Sequence, residues 1–244
     1  TKGTTEANRY VGWDDFAKPG GTPARLVVTY TDPSVPPPTD GNTLVIENAR
    51  YKVTLHKRGS VVSVIDKSRG NREFVSTING KAASDLGSAA TTGTLSVENA
   101  GPVSVTIRAQ VPASGGVPAH SVRVTLYRDG ERIDLDNAIE QNFTSTQQWS
   151  FGFNLAGPIT RHEEVGAIAL ARPRSSPGGS YAVANQRLDY LTLNHFADIT
   201  GTGSSAGLGV TLSNRDCSFM QLGNSTTAGL DTATPQINAL AGGQ

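Results

Sequence analysis

The sequence predicts an all-β protein, and within that class a large antiparallel β-sandwich. Three observations carry this reading. Apolar and polar residues alternate with a period of two over much of the chain, as half-buried strands require. Gly, Pro, Asn and Asp fall between the alternating runs. Helix signals are nearly absent, the best short stretch being Arg72 to Ile78. At 244 residues the chain is long enough to bury a core of its own as one sandwich domain.

Residues 1–42 show little periodicity. Gly20-Gly21, Pro23 and the run Pro33-Ser-Val-Pro-Pro-Pro38 mark a stiff, extended linker, with Leu26 to Tyr30 as a short strand inside it. A linker at the front implies that something precedes it in a parent protein. The β domain is expected over 43–244. Tyr51, Val53 and Leu55 alternate with Lys52, Thr54 and His56, Gly59 turns the chain, and Val61 to Ile65 returns. Val103, Val105, Ile107, Ala109 and Val111 give the clearest alternation, repeated at Val122, Val124 and Leu126. Asp129-Gly130 is a hairpin signal leading into Ile133 and Leu135. Further strands are expected at Trp149–Leu155, Val165–Leu170, Leu188–His195, Leu208–Leu212 and Ser218–Leu222.

The formal net charge is +0 and there is no basic stripe, which argues against nucleic acid as a partner. No apolar run approaches the ~18 residues of a membrane-spanning helix, so no membrane partner is expected. Few charges with abundant Gly, Ser, Thr and Asn resemble secreted or periplasmic β proteins. The single cysteine, Cys217, excludes an internal disulfide and a multi-thiolate metal site. Asn142-Phe-Thr144 and Asn224-Ser-Thr226 fit the glycosylation pattern, which matters if a eukaryote secretes the protein.

Chemistry was sought by residue type and spacing. His56, His120, His162 and His195 are far apart and none lies in an HxH or HExxH spacing, so no zinc centre is expected. A lone calcium site has no reliable spacing and stays open. Asp134 and Asp136 share a strand face roughly 7 Å apart, a separation glycosidic carboxylates can have, although Arg132 beside them suggests a solvated charge ladder. His162 and Glu164 also share a face, where an ion pair is the plainer reading. No GxSxG and no glycine loop opening a helix is present.

Carbohydrate recognition remains, through aromatic faces and planar polar groups. The densest mixture of such groups lies in Leu188 to Met220, read as two strands joined by the loop Gly201 to Gly209. Its candidates are Tyr190, Asn194, His195, Asp198, Arg215 and Asp216, with Trp149 and Tyr181 from outside it. They are carbohydrate or domain-interface candidates; no catalytic residue is assigned. Core packing is the plainer role for Trp149, and a satisfied turn network the alternative for Asn194 to Asp198.

Several phrases resemble the C-terminal β region of glycoside hydrolase family 38, the α-mannosidases. They are Glu47-Asn48-Ala-Arg-Tyr51-Lys-Val53, then Gly59-Ser-Val-Val-Ser63-Val-Ile-Asp66-Lys67, with Asn99-Ala-Gly-Pro102, Tyr127-Arg-Asp-Gly-Glu-Arg132 and Leu208-Gly-Val-Thr-Leu-Ser213. The resemblance implies a supersandwich of the galactose-mutarotase-like type. It also implies a non-catalytic domain that supports mannoside binding and hydrolysis in a longer enzyme. The family's zinc and both catalytic aspartates belong to an N-terminal barrel, so this chain would hold no cofactor and would partner that barrel and a carbohydrate. The domain also looks incomplete, since Asn238–Gln244 stops where relatives continue into further β structure. Two other functions stay open: a self-sufficient epimerase or polysaccharide lyase using His195 or His162, and a carbohydrate-binding module without catalytic history.

Overall fold

The structure is a computed structural model that describes residues 41–182 and 184–242, with the backbone of two short paired strands, β1 (Val11–Gly12) and β2 (Arg25–Leu26). Most of the expected linker over 1–42, and the Leu26 to Tyr30 strand beyond Leu26, lie outside the described residues.

The first sheet is a meander of β3 (Thr43–Glu47), β4 (Tyr51–His56), β5 (Ser60–Asp66) and β6 (Arg72–Glu73), in that spatial order. Asn48 makes its first turn, the side-chain oxygen accepting from the N–H groups of Arg50 at 2.8 Å and Tyr51 at 2.6 Å. Gly59 makes the second with φ 74°, against the buried ring of His120, where no side chain fits. Arg72 to Ile78, the best of the weak helix signals, is not helical. Arg72–Glu73 is a strand, and the Glu73 carboxylate accepts from Val64 N and Val75 N, both at 2.8 Å, which holds this stretch extended.

A second meander follows: β7 (Thr94–Ala100), β8 (Ser104–Val111), β9 (His120–Tyr127) and β10 (Ile133–Ile139). Its inward face is the predicted alternation, with Ile107, Ala109, Val111, Val122 and Val124 all fully buried. The outward face is a charge ladder. Arg108 and Arg123 stand opposite each other, joined by Glu98, with Glu140 on Arg108 at 2.8 Å and Asp136 on Arg123 at 3.2 Å. Asp134 pairs with Arg132 at 3.1 Å, so the two aspartates are separately neutralised, as the ladder reading expects.

The last two sheets interleave. The chain lays down β11 (Gln147–Gly152), β12 (Ile159–Glu164), β13 (Ala167–Leu170) and β14 (Leu191–Thr192). It then adds β15 (Phe196–Thr200), β16 (Gly209–Ser213), β17 (Phe219–Leu222) and β18 (Gln236–Ala241). One sheet runs β11-β18-β17-β14 and the other β13-β12-β15-β16. The stretch 188–220, expected as two strands, is therefore four strands shared between two sheets. The residues beyond Pro235 form β18, an inner strand paired with β11 and β17.

The large sandwich, and with it the supersandwich of the galactose-mutarotase type, is overturned. The protein is all-β, but its strands form four small four-stranded sheets in a four-blade arrangement. Alternation marks which face of a strand is inward and says nothing of where a sheet stops. Three of the sheet edges are short or distorted: β6 and β14 have two residues, and β7 carries a bulge between Val97 and Asn99. One hydrophobic core draws from all four sheets, including Leu55, Ile107, Ile237 and Ile199. Each such side chain contributes about 1.5–3 kcal/mol by leaving water. Residues 74–85 stitch the first sheet to the third through the bridges Val61–Ala83, Val75–Phe153 and Asp85–Ser150.

Candidate functional site

The candidate residues fall into three separate places, two of them within 188–220. At one end of β15 and β16, Asn214 organises the chain. Its backbone N–H donates to His195 O at 2.7 Å, its amide donates to the carbonyls of Leu193, Asn194 and Cys217, and its Oδ1 accepts from Cys217 N at 2.9 Å. Asn194 thus serves through its backbone. The His195 ring is largely exposed and bonds Glu163 at 2.9 Å across the outer face. Asp198 accepts from Thr211 Oγ1 at 3.0 Å, and Arg215 and Asp216 pair loosely at 3.8 Å on an exposed turn. Asn194 and His195 meet the Arg215–Asp216 turn through Asn214; the His195 ring is held by Glu163, while the Arg215 and Asp216 side chains stand exposed. Cys217 is half-buried, its thiol donating to Phe219 O at 3.0 Å.

The second place is on the inward face of β12. His162 is 0% exposed, and its Nε2 lies 2.5 Å from the Tyr181 hydroxyl, which also reaches Glu164 at 3.3 Å. The two rings stack at 5.9 Å with an interplanar angle of 19°. Glu164 Oε1 is 4.0 Å from His162 Nδ1, beyond hydrogen-bond reach. Burial pushes the His162 pKa down, against the pull of the Glu164 charge, and pushes that of Tyr181 up, with Glu164 adding to it. A neutral, sealed imidazole and a phenol that holds its proton are poor acid–base groups for a sugar outside. Trp149 is likewise withdrawn: it is 6% exposed in the core and meets His120 edge to face at 5.5 Å.

The third place is open to solvent. Thr192 pairs with Phe219 and Leu191 with Met220 in the β14–β17 register. Leu191 and Met220 are buried, so Tyr190, Thr192 and Phe219 emerge on the opposite face, at the edge of the sheet. Tyr190 is 39% exposed and Phe219 48%, their rings meeting at 6.3 Å and 75°. Arg187 lies over the Tyr190 ring, 4.6 Å from its centroid, and forks onto Asp189 at 3.0 and 2.7 Å. Those bonds from Arg187 hold the Asp189 carboxyl below the usual carboxylate range, against a small opposing effect of burial. Tyr190 is among the sequence candidates; Arg187 and Phe219 are not. The available signal was phase: both aromatics fall on the polar beat of strands whose apolar beat is Leu191, Leu193, Met220 and Leu222.

Among the described residues no group of three or more His, Cys, Asp or Glu side chains converges to hold a metal ion, and no helix is long and apolar enough to cross a membrane. Fold and site together define an all-β protein of small sheets with an exposed aromatic corner beside a fixed Arg–Asp pair. No protein-family model matches the chain, and no curated protein matches it. The likeness to the α-mannosidase β region thus stands on the quoted phrases alone, of which Glu47 to Lys67 forms the β3–β4–β5 hairpins.

Proposed function

We propose that this chain is a non-catalytic carbohydrate-binding domain, serving a larger glycoside-cleaving enzyme of the α-mannosidase-like kind that its hairpin phrases resemble. The observation that carries the binding role is the exposed Tyr190–Phe219 corner with Arg187 and Asp189 beside it. Sugars offer C–H faces that stack on aromatic rings and hydroxyls that bond planar polar groups, and this corner supplies both. The His162 and His195 pairs lie elsewhere and are engaged: His162 is sealed by Tyr181, and His195, its ring largely exposed, is tied to Glu163. The expected role is therefore to hold a glycan while another part of the enzyme cleaves it.

Affinity electrophoresis of the chain through gels containing mannan, β-glucan or pectate tests the proposal. Retardation in at least one polysaccharide, abolished by Phe219→Ala, is the expected result. Unchanged mobility in all of them would remove the carbohydrate reading.

A further inference from the structure

The charge arrangement at the corner restricts the kind of sugar it can take. Among the described residues Arg187 is the cation that lies over the aromatic pair, and its charge is already met by Asp189 through two parallel bonds. The Asp189 side chain is 16% exposed and that of Arg187 63%, so the carboxylate is the more firmly seated member of the pair. An anionic sugar would have to displace a seated carboxylate and then sit beside it uncompensated. A neutral sugar meets no such opposition. Its hydroxyls can donate to Asp189 and accept from the N–H groups of Arg187 that Asp189 leaves unused, leaving the pair intact. Thr192, directly opposite Phe219, adds a hydroxyl on the same face.

The rings also limit length. At 75° to each other they make a floor and a wall, not a flat plate, so one pyranose can seat its C–H face on one ring and its edge on the other. A run of sugars lying along the surface would need rings set nearly parallel. Beyond Phe219 the next outward residue of β17 is Gln221, whose amide is already bonded to Gln148 and to Ser225 O.

We propose that the corner formed by Tyr190, Phe219, Arg187 and Asp189 is a subsite for a single neutral hexopyranose unit and discriminates against uronic acids. This deepens the carbohydrate-binding reading and rests on it. The affinity is that of one small, open subsite, in the millimolar range.

Calorimetric titration of the full chain with mannotriose, cellotriose, galactotriose and trigalacturonate tests it, alongside the variants Phe219→Ala, Tyr190→Ala and Asp189→Asn. The expected result is a Kd of about 1 mM or weaker for a neutral trisaccharide and no heat with trigalacturonate. Phe219→Ala and Tyr190→Ala should each weaken binding about tenfold, the size of a lost aromatic contact, with cooperative urea unfolding retained as the check that both variants fold. Asp189→Asn, which frees the guanidinium charge, should turn the preference toward trigalacturonate. Tighter binding of trigalacturonate by the unmodified chain would overturn the discrimination and leave the carbohydrate reading standing. Absence of binding to all four sugars would overturn both. Concentration-dependent dimerisation abolished by Phe219→Ala would give the corner to a second copy of this chain and overturn the proposal.

Discussion

His162 makes a pH-dependent weak point that can be read from stability alone. Its ring is fully buried on the inward face of β12, opposite Ala197, with Tyr181 and Glu164 as the titratable groups facing it. Burial lowers its pKa in the folded protein, and the Glu164 carboxylate only partly offsets this. The unfolded chain, whose imidazole titrates near about 6.5, therefore takes up the proton first as pH falls. The stability His162 confers is fully present above that pH and is lost as pH drops toward the folded value. One proton gives a slope of at most about 1.4 kcal/mol per pH unit. Between about pH 6.5 and 5 that is a loss of up to about 2 kcal/mol, a large share of the ~5–15 kcal/mol typical of a domain. His162→Gln keeps an amide that can meet the Tyr181 hydroxyl and removes the titration. Urea unfolding of both proteins from pH 8 to pH 5 at constant m reads the difference directly. The unmodified protein should lose midpoint over this window relative to the variant, by up to about 1 M for a slope near 2 kcal/mol per M. Parallel pH profiles for the two proteins would refute the argument.

Other substitutions probe the rest of the architecture. Gly152→Ala places a methyl group against the carbonyl oxygen of Ser76, where residues 74–85 cross β11, and should cost about 1–3 kcal/mol in urea unfolding through overpacking. Asn214→Ala strips the partners from the Cys217 N–H and from three carbonyls, and should cost about 1–3 kcal/mol, accompanied by faster amide exchange at Cys217. His195→Ala breaks only an exposed pair with Glu163, so its effect on the unfolding midpoint should correspond to less than about 1 kcal/mol.

The strands were legible in proportion to how completely one face is buried. Val53–Leu55, Ile107–Val111 and Val122–Leu126 each put every second residue into the core, and there the period of two gave both the strand and its inward face. Strands β6, β7, β12, β15 and β18 are not marked as separate elements by the sequence. In β7, for example, Val97 is exposed and Glu98 belongs to the charge ladder, so no clean alternation survives. Sheet grouping was not legible at all. The interleaving of the third and fourth sheets depends on β14, a two-residue strand whose partner lies 27 or more positions along the chain, and no local pattern reports such a pairing.

The same physics separates the dense polar stretch from the exposed aromatic corner. Density of polar residues drew attention to Asn194–Asp198 and Arg215–Asp216, yet such groups at strand ends are just those that turns consume, as Asn214 does here. An aromatic ring on the solvent phase of a strand is the rarer observation, because its apolar area gains nothing from water and the adjoining core position is already filled. Tyr190 and Phe219 satisfy that description on neighbouring strands, with Leu191 and Met220 closing the core beneath them. A residue pair that the core does not need and that water does not favour is better evidence of a ligand surface than any count of hydrogen-bonding groups.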